Sequence, residues 1–222
     1  MKDTDYPLHE RLTIGVFLAA STGGLDAYTY LFHGEVFAGL QTGNFILLGL
    51  NLGCGNFRTA LRFIIPIGAF FIGSVATRFL QRQLTDEPYL RRRKKIVLTI
   101  EISLMLTTAL LSPYISHKLA SALLSFVAAA QLQEFRKFHG EPFTSLMMTG
   151  NLRTLGEKAW DAFVHYDIKA RTKFTDTAIV ILSFIFGAVL TSFFGNIFHT
   201  ATIVLSAVFL TISLFILHTK KN

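Results

Sequence analysis

The sequence predicts an all-α integral membrane protein with about six transmembrane helices, arranged as two inverted three-helix repeats. Three observations lead to this fold class. Hydrophobic residues make up 51% of the 222 residues, and charged residues make up 16%, against about a quarter in a typical soluble domain. Apolar runs of membrane-spanning length recur along the chain. The tripeptide Thr-Gly-Asn, here called the TGN motif, occurs at residues 42–44 and 149–151, and Leu-Gly follows both copies.

Six apolar runs are each close to the ~20 residues that a helix needs to cross a bilayer. They cover residues 12–32, 61–80, 96–115, 119–135, 176–195 and 200–218. Two weaker segments, 36–53 and 143–161, contain the TGN motifs. The second carries Arg153, Glu157, Lys158 and Asp161. Because a charge at the centre of a membrane helix costs about 2.5 to 3.5 kcal/mol, we expect this segment not to cross.

The loop charges indicate the orientation in the membrane. If neither TGN segment spans, 18 of the 21 Lys and Arg residues fall on one face, which the positive-inside rule assigns to the cytoplasm, together with both termini. Segment 81–95, with its basic run Arg91–Lys95, is predicted to be a cytoplasmic loop. The net charge of +7 is spread between apolar runs, so nucleic acid is not an expected partner.

The two TGN motifs divide the chain into a first repeat, residues 12–115, and a second repeat, residues 119–218. One ungapped register aligns residues 17–49 with residues 124–156 and matches six positions, five of them within eight residues. Three spans per repeat is an odd number, so the two halves have opposite orientations.

Each TGN motif is expected to begin a half-helix or re-entrant segment. Thr or Asn would cap the helix that follows, and its free N–H groups would point into a shared polar cavity. In a second interpretation the motifs merely cap surface or interfacial helices. The charged second copy, with Trp160, also fits an amphipathic helix at the cytoplasmic interface.

The residues around the first motif also carry a family resemblance. Ser21–Leu31 (STGGLDAYTYL), Gly34, Val36–Ala38 and Gln41–Asn44 resemble the YoaK-like family of bacterial multi-pass membrane proteins. The resemblance weakens along the chain but extends through the second TGN motif. It implies a bacterial inner-membrane location and about six spans, and it supplies no substrate. The chain departs at Gln131–Arg136 (QLQEFR), which is more charged than the family pattern.

Asp26 is the leading candidate for a functional residue. A carboxyl group inside a membrane span is costly unless it faces protein or water, although a structural hydrogen bond between helices is an alternative. Its repeat partner is Gln133. Glu101 is expected to reach an interfacial cation, and Glu134 is expected to lie at the interface near the end of a span. The other predicted substrate-binding residues offer amide, hydroxyl or backbone groups: Gln41, Thr42, Gly43 and Asn44 in the first repeat, and Gln131, Gln133, Thr149, Gly150 and Asn151 in the second.

These features predict a transporter or channel for a small polar or anionic solute. No Ser/His/Asp spacing or phosphate-binding loop is present, and Cys54 is the one cysteine, so we predict no catalytic residue, metal or cofactor. Two alternatives are a membrane enzyme acting on lipid through Asp26 or Glu101, and a scaffold whose basic run binds anionic lipid or a partner. Expected partners are membrane lipids, the solute and a second copy of the chain.

Overall fold

A computed structural model describes residues 3–84 and 87–219, and these residues form an all-helical protein. The all-α class is therefore confirmed. A two-residue hairpin, β1 Lys137–Phe138 with β2 Glu141–Pro142, is the strand pair among the described residues. The α-helices are α1 Leu12–Phe32, α2 Gln41–Gly53, α3 Phe57–Gln83, α4 Glu87–Leu111, α5 His117–Glu134, α6 Met148–Phe163, α7 Ile168–Phe198 and α8 Ile203–Thr219.

Each predicted apolar run falls largely within one helix. The first run coincides with α1, and 119–135 differs from α5 by two residues at its start and by one at its end. Within the described residues, two helical stretches are long and apolar enough to cross a membrane: Phe57–Gln83, and Ile168–Thr219, which contains both α7 and α8. The helices thus support membrane association, and the count of six spans stays a prediction.

The two TGN motifs lie in the first turns of the short helices α2 and α6. The expectation that Thr or Asn caps these helices is wrong. The residues at the N-cap positions are Leu40 and Met147, and neither helix has a side-chain cap. Because each motif lies inside the helix, its Asn side chain is directed to the preceding loop instead.

The segment predicted to be a cytoplasmic loop, residues 81–95, is helical over most of its length. Residues 81–83 end α3, and residues 87–95 belong to α4. Lys and Arg are good helix formers. In addition, Arg93 and Lys94 are held by Glu134 of α5, at 2.8 Å and 3.1 Å, so the basic run is ordered by packing.

The helices pair in a pattern that is unchanged when α1, α2, α3 and α4 are exchanged with α5, α6, α7 and α8, respectively. Helix α1 packs on α7 and α8, while α5 packs on α3 and α4. Helix α2 packs on α3, as α6 does on α7, and α4 and α8 pack on each other. Apart from the contacts of the short helices α2 and α6, these pairings join the first half of the chain to the second.

Glycines allow the closest of these helix contacts. A Cβ on Gly23 of α1 would meet the backbone carbonyl of Phe184 in α7, and a Cβ on Gly187 of α7 would meet that of Ala20 in α1. Gly73 of α3 lies in the same way against Phe126 of α5. Small residues let helix backbones approach where lipid gives no hydrophobic drive for association.

Contacts between the ends of helices fall into two groups, which we call the Phe32 end and the Leu12 end after the limits of α1. At the Phe32 end, ring nitrogens of His33 and His117 are 3.4 Å apart. At the Leu12 end, Asp3 pairs with His139 at 2.6 Å, and Arg91 donates to the Leu217 carbonyl at 2.6 Å. The helices form one bundle, and the Phe32 end and the Leu12 end are its two opposite ends.

Candidate functional site

The loop between α1 and α2, residues 33–40, turns back along α1 toward its middle. Gly34 and Glu35 adopt positive φ angles of 88° and 60°, which reverse the chain direction. The loop then follows α1 toward the Leu12 end. The Ala38 N–H donates to Thr29 Oγ1 at 3.1 Å, and the Gly39 N–H donates to Asp26 Oδ1 at 2.6 Å. Helix α2 therefore begins at mid-height in the bundle.

The loop between α5 and α6 enters the bundle from the Leu12 end. Ser145 Oγ accepts a hydrogen bond from Gln131 Nε2 at 2.7 Å, and the same amide nitrogen lies 3.0 Å from Thr22 Oγ1 of α1. The two loops meet where a Cβ on Gly39 would lie 2.5 Å from Leu146 Cδ2. Gly39 and Leu146 are equivalent positions in the repeat register, so the loops meet at equivalent positions.

Asp26 is buried at this meeting point, and its two oxygens are in different situations. Oδ1 accepts from the Gly39 N–H and, at 3.4 Å, from the Leu40 N–H. Oδ2 is buried and has no hydrogen-bond partner. A buried unsatisfied polar atom costs about 1 to 3 kcal/mol. The Asp26 carboxyl group thus binds the end of the first loop with one oxygen and leaves the other available.

Asn44 and Gln41 use their amides to fix the first loop. Asn44 is fully buried, and its side chain accepts from the Phe37 N–H at 3.0 Å and donates to the Phe37 carbonyl at 2.7 Å. Gln41 accepts from Asn44 and donates to the Ala38 carbonyl. Gly43 leaves room for the Phe37 ring, which would lie 2.9 Å from a Cβ there. These amides hold the loop that presents its N–H groups to Asp26.

The second TGN motif repeats part of this geometry. Asn151 Nδ2 donates to the Thr144 carbonyl at 3.0 Å, seven residues earlier, as Asn44 does to Phe37. Its second contact, to Met148 Sδ at 3.6 Å, replaces the one to Gln41. The equivalent hydrogen bonds support a structural duplication that extends beyond sequence identity.

Several predicted site residues lie away from this centre. Thr42, Thr149 and Gly150 are exposed on the outer faces of α2 and α6. Gln133 pairs with Gln81 of α3 at 3.2 Å, toward the Leu12 end. The structure therefore groups Asp26, Gln41, Asn44 and Gln131 around the two loops, with Gly43 supporting the first and Asn151 the second.

A cavity of about 500 Å³ lies between α1, α7 and the first loop. Its walls are mainly apolar and aromatic, and Asp26 contributes the charged group. Tyr30 and Val189 at its edge are exposed, so the cavity opens sideways from the bundle. The principal side chains around it are Asp26, Tyr30, Phe37, Leu40, Phe184 and Val189.

Two acidic residues differ from their sequence expectation. Glu134 was expected at an interface but is buried, where it pairs with Arg93 and Lys94. Glu101 was expected to reach an interfacial cation, yet it is fully buried in α4 and neither carboxyl oxygen has a partner. Glu101 lies at least six residues beyond the basic run, and the helix carries it into the bundle core.

Sequence reasoning missed Gly39 and Ser145, which complete the contacts around the two loops. Gly39 has no side chain, and its contribution is a backbone N–H group. A signal for Ser145 existed: it lies six residues before Asn151, and polar residues close to a duplicated motif are candidates for the same site.

The fold and the buried carboxyl define a helical protein with segments of membrane-spanning length and paired loops that meet inside the bundle. The chain belongs to DUF1275, a family of proteins of unknown function. The family model matches residues 14–216. This match confirms the YoaK-like resemblance. Neither the curated proteins nor the solved structures contain a match to the chain.

Proposed function

We propose that this chain is a six-span membrane transporter or channel with inverted halves, in which Asp26 binds the transported solute or a coupled proton. The observation that carries the proposal is the unpartnered Oδ2 of Asp26, buried beside a cavity at the meeting point of two loops. Irregular backbone at membrane depth is tolerated where protein buries it or where it lines a cavity. Sites built from paired broken helices are typical of inverted-repeat transporters.

The helix pairing supports the inverted arrangement. When the helices of the first half are exchanged with those of the second, the pair α1 and α7 becomes the pair α5 and α3, and both pairs are in contact. The first loop enters from the Phe32 end and the second from the Leu12 end, which is the relation expected of halves with opposite orientations. Helix α6 has features of both structures considered for its motif, a re-entrant half-helix and an interfacial amphipathic helix. It begins near the centre, and its remainder carries the exposed Trp160 and charged side chains of an interfacial helix.

The geometry narrows the class of solute. The Asp26 carboxyl group already accepts hydrogen bonds from the N–H groups of Gly39 and Leu40, which directly precede α2. An anion at that helix terminus would therefore lie against an acidic group. The proposal therefore favours a neutral or cationic solute that offers a hydrogen-bond donor to Oδ2. The apolar and aromatic walls of the cavity favour an apolar body on that solute, such as a small amine or an amino acid with an apolar side chain.

A lipid-acting membrane enzyme is the second candidate, favoured by the sideways opening of the same cavity between exposed side chains. The two candidates differ in their product. A transporter moves an unchanged solute across a sealed bilayer, whereas an enzyme converts lipid in detergent without any compartment.

Asp26→Asn is expected to reduce flux at least about tenfold while leaving the fold intact. The amide oxygen of Asn keeps the hydrogen bonds from Gly39 and Leu40, but Asn cannot exchange a proton or bind a cation as an ion pair. The measurement is uptake of labelled amines, apolar amino acids and protons into liposomes containing the purified protein. A tenfold loss corresponds to about 1.4 kcal/mol.

Asp161→Asn is the matched control, because Asp161 pairs with Lys158 at the surface of α6, where ion pairs contribute little. Thermal unfolding of both variants separates misfolding from lost function. Equal flux in the wild type and a folded Asp26→Asn variant would remove Asp26 from the mechanism.

The membrane orientation predicts which cysteines a membrane-impermeant maleimide reaches. Cys54 is exposed at the end of α2 and should be labelled from outside intact cells. In a Cys54→Ser background, Arg92→Cys on the exposed face of α4 should be labelled only after permeabilisation, since α3 separates the two positions. Labelling of both from one side would mean that α3 does not cross the membrane.

A further inference from the structure

A second cavity, of about 370 Å³, lies at the Leu12 end and is here called the basic pocket. It is formed where the ends of α3 and α5 meet the start of α4 and the segment that precedes α1. Five cationic side chains and two carboxylates line it. The cations are Arg78, Arg93, Lys94, Arg136 and Lys137, and the carboxylates are Glu10 and Glu134.

Both carboxylates of the basic pocket are occupied by protein groups. Glu134 is fully buried between Arg93 and Lys94. Glu10 accepts from the Gly140 N–H at 3.0 Å with one oxygen, and its other oxygen lies 3.7 Å from His9. Three cations thus remain without a carboxylate partner among the described residues: Arg78, Arg136 and Lys137, all exposed at the mouth of the pocket.

A histidine, His9, also lines the wall of the basic pocket. Burial, reinforced by the charges of Lys94 and Lys137, lowers the pKa of His9 from 6.5 to about 4. His9 is therefore neutral at pH 7 and adds no positive charge of its own. The wall also carries the amides of Gln81 and Gln133. Gln81 Nε2 donates to the Gln133 carbonyl at 2.8 Å and to Glu134 Oε2 at 3.2 Å, and Gln133 Nε2 donates to Gln81 Oε1 at 3.2 Å.

We infer that the basic pocket binds a phosphate group, carried either by an anionic phospholipid headgroup or by a soluble phosphate compound. Three exposed cations without a carboxylate partner among the described side chains lie together in one cavity. They match the several oxygens of a phosphate, and Arg–phosphate hydrogen bonds are among the strong ones in proteins. Basic pockets between helices at the cytoplasmic face are suited to lipid headgroups. That membrane setting rests on the proposed orientation; the binding of phosphate itself does not.

This site differs from the lipid-binding basic run expected from the sequence. Arg91 donates to the Leu217 carbonyl, and Lys95 lies 3.4 Å from His218, so both are engaged by α8. The binding surface instead combines Arg78 of α3 with Arg136 and Lys137 after α5, residues that the sequence places far apart.

The test is a titration of the purified full-length protein in neutral detergent with three probes: short-chain phosphatidylglycerol, short-chain phosphatidylcholine and inorganic phosphate. The double variant Arg136→Gln/Lys137→Gln removes two exposed cations and should fold normally. We expect saturable binding of phosphatidylglycerol, inorganic phosphate or both to the wild type, and at least about tenfold weaker binding to the double variant.

Arg153→Gln/Lys169→Gln is the matched control, because it removes the same net charge from exposed positions outside the pocket. It should bind like the wild type. Binding of phosphatidylglycerol alone identifies a lipid site, whereas saturable binding of inorganic phosphate identifies a site for soluble phosphates. The inference is overturned if neither anionic probe binds, if phosphatidylcholine binds equally well, or if both double variants lose affinity equally.

Discussion

Gly187→Ala is expected to lower the free energy of unfolding by about 3 kcal/mol, the upper end of the range for overpacking. The added methyl group would meet the backbone carbonyl of Ala20. A backbone carbonyl in a helix cannot rotate away as a flexible side chain can, so α7 must move away from α1. Gly23 makes the reciprocal contact with Phe184, and the same movement would loosen that contact as well.

The measurement is thermal or denaturant unfolding of the purified protein in detergent. Gly68→Ala provides the control, since Gly68 lies within α3 and a Cβ there would contact nothing within 4 Å apart from the adjacent backbone of its own helix. Alanine is the better helix former by about 1 kcal/mol, so Gly68→Ala should be neutral or stabilising. If the two variants unfold alike, the close approach of α1 and α7 is not important for stability.

The helices could be predicted from the sequence, because apolar runs have the length that a bilayer or bundle requires. The pairing of those helices could not. Gly187 is one glycine in an apolar segment, and its role depends on Ala20, which lies in the other repeat. Apolar faces of similar composition do not identify their partners, so contacts between α1 and α7 appear only in the folded bundle.

The candidate site divides in the same way. Asp26 could be selected from the sequence because an ionisable residue within an apolar run has few inexpensive environments, and the structure buries it. Its partner Gly39 was missed because the interaction uses backbone N–H. Asn44 was predicted to position a ligand, but its amide binds the Phe37 backbone. An amide can bind a loop or a solute equally well, and the path of the loop determines which of the two it binds.

Charged residues near the ends of helices were the least predictable. Glu134 follows an apolar run and precedes Arg136, a pattern that favours an interface. The fold instead brings Arg93 and Lys94, about 40 residues earlier in the chain, against its carboxylate. Burial of an acid in this position becomes favourable only when both cations arrive.

Glu134→Gln is expected to destabilise the protein by about 3 to 5 kcal/mol, because removing one partner of a buried ion pair leaves an uncompensated charge. Here the loss leaves two buried cations, Arg93 and Lys94, facing a neutral amide. Unfolding in detergent measures the effect. The matched control is Glu157→Gln on α6, whose pair with Arg153 is exposed and should contribute less than about 1 kcal/mol. Equal stability of the two variants would contradict the structural role of Glu134.

The deficit of Glu134→Gln should also shrink as the pH rises. Burial lowers the pKa of Lys94 below its usual 10.5, and Glu134 opposes that shift, so the variant should have a still lower Lys94 pKa. Between that lowered pKa and 10.5 the unfolded chain binds more protons than the folded protein, and stability therefore increases with pH. The difference from the wild type should narrow as the pH rises from the Lys94 pKa of the variant to the higher Lys94 pKa of the wild type, both of which lie below 10.5. A constant difference would show that Lys94 keeps its proton without Glu134.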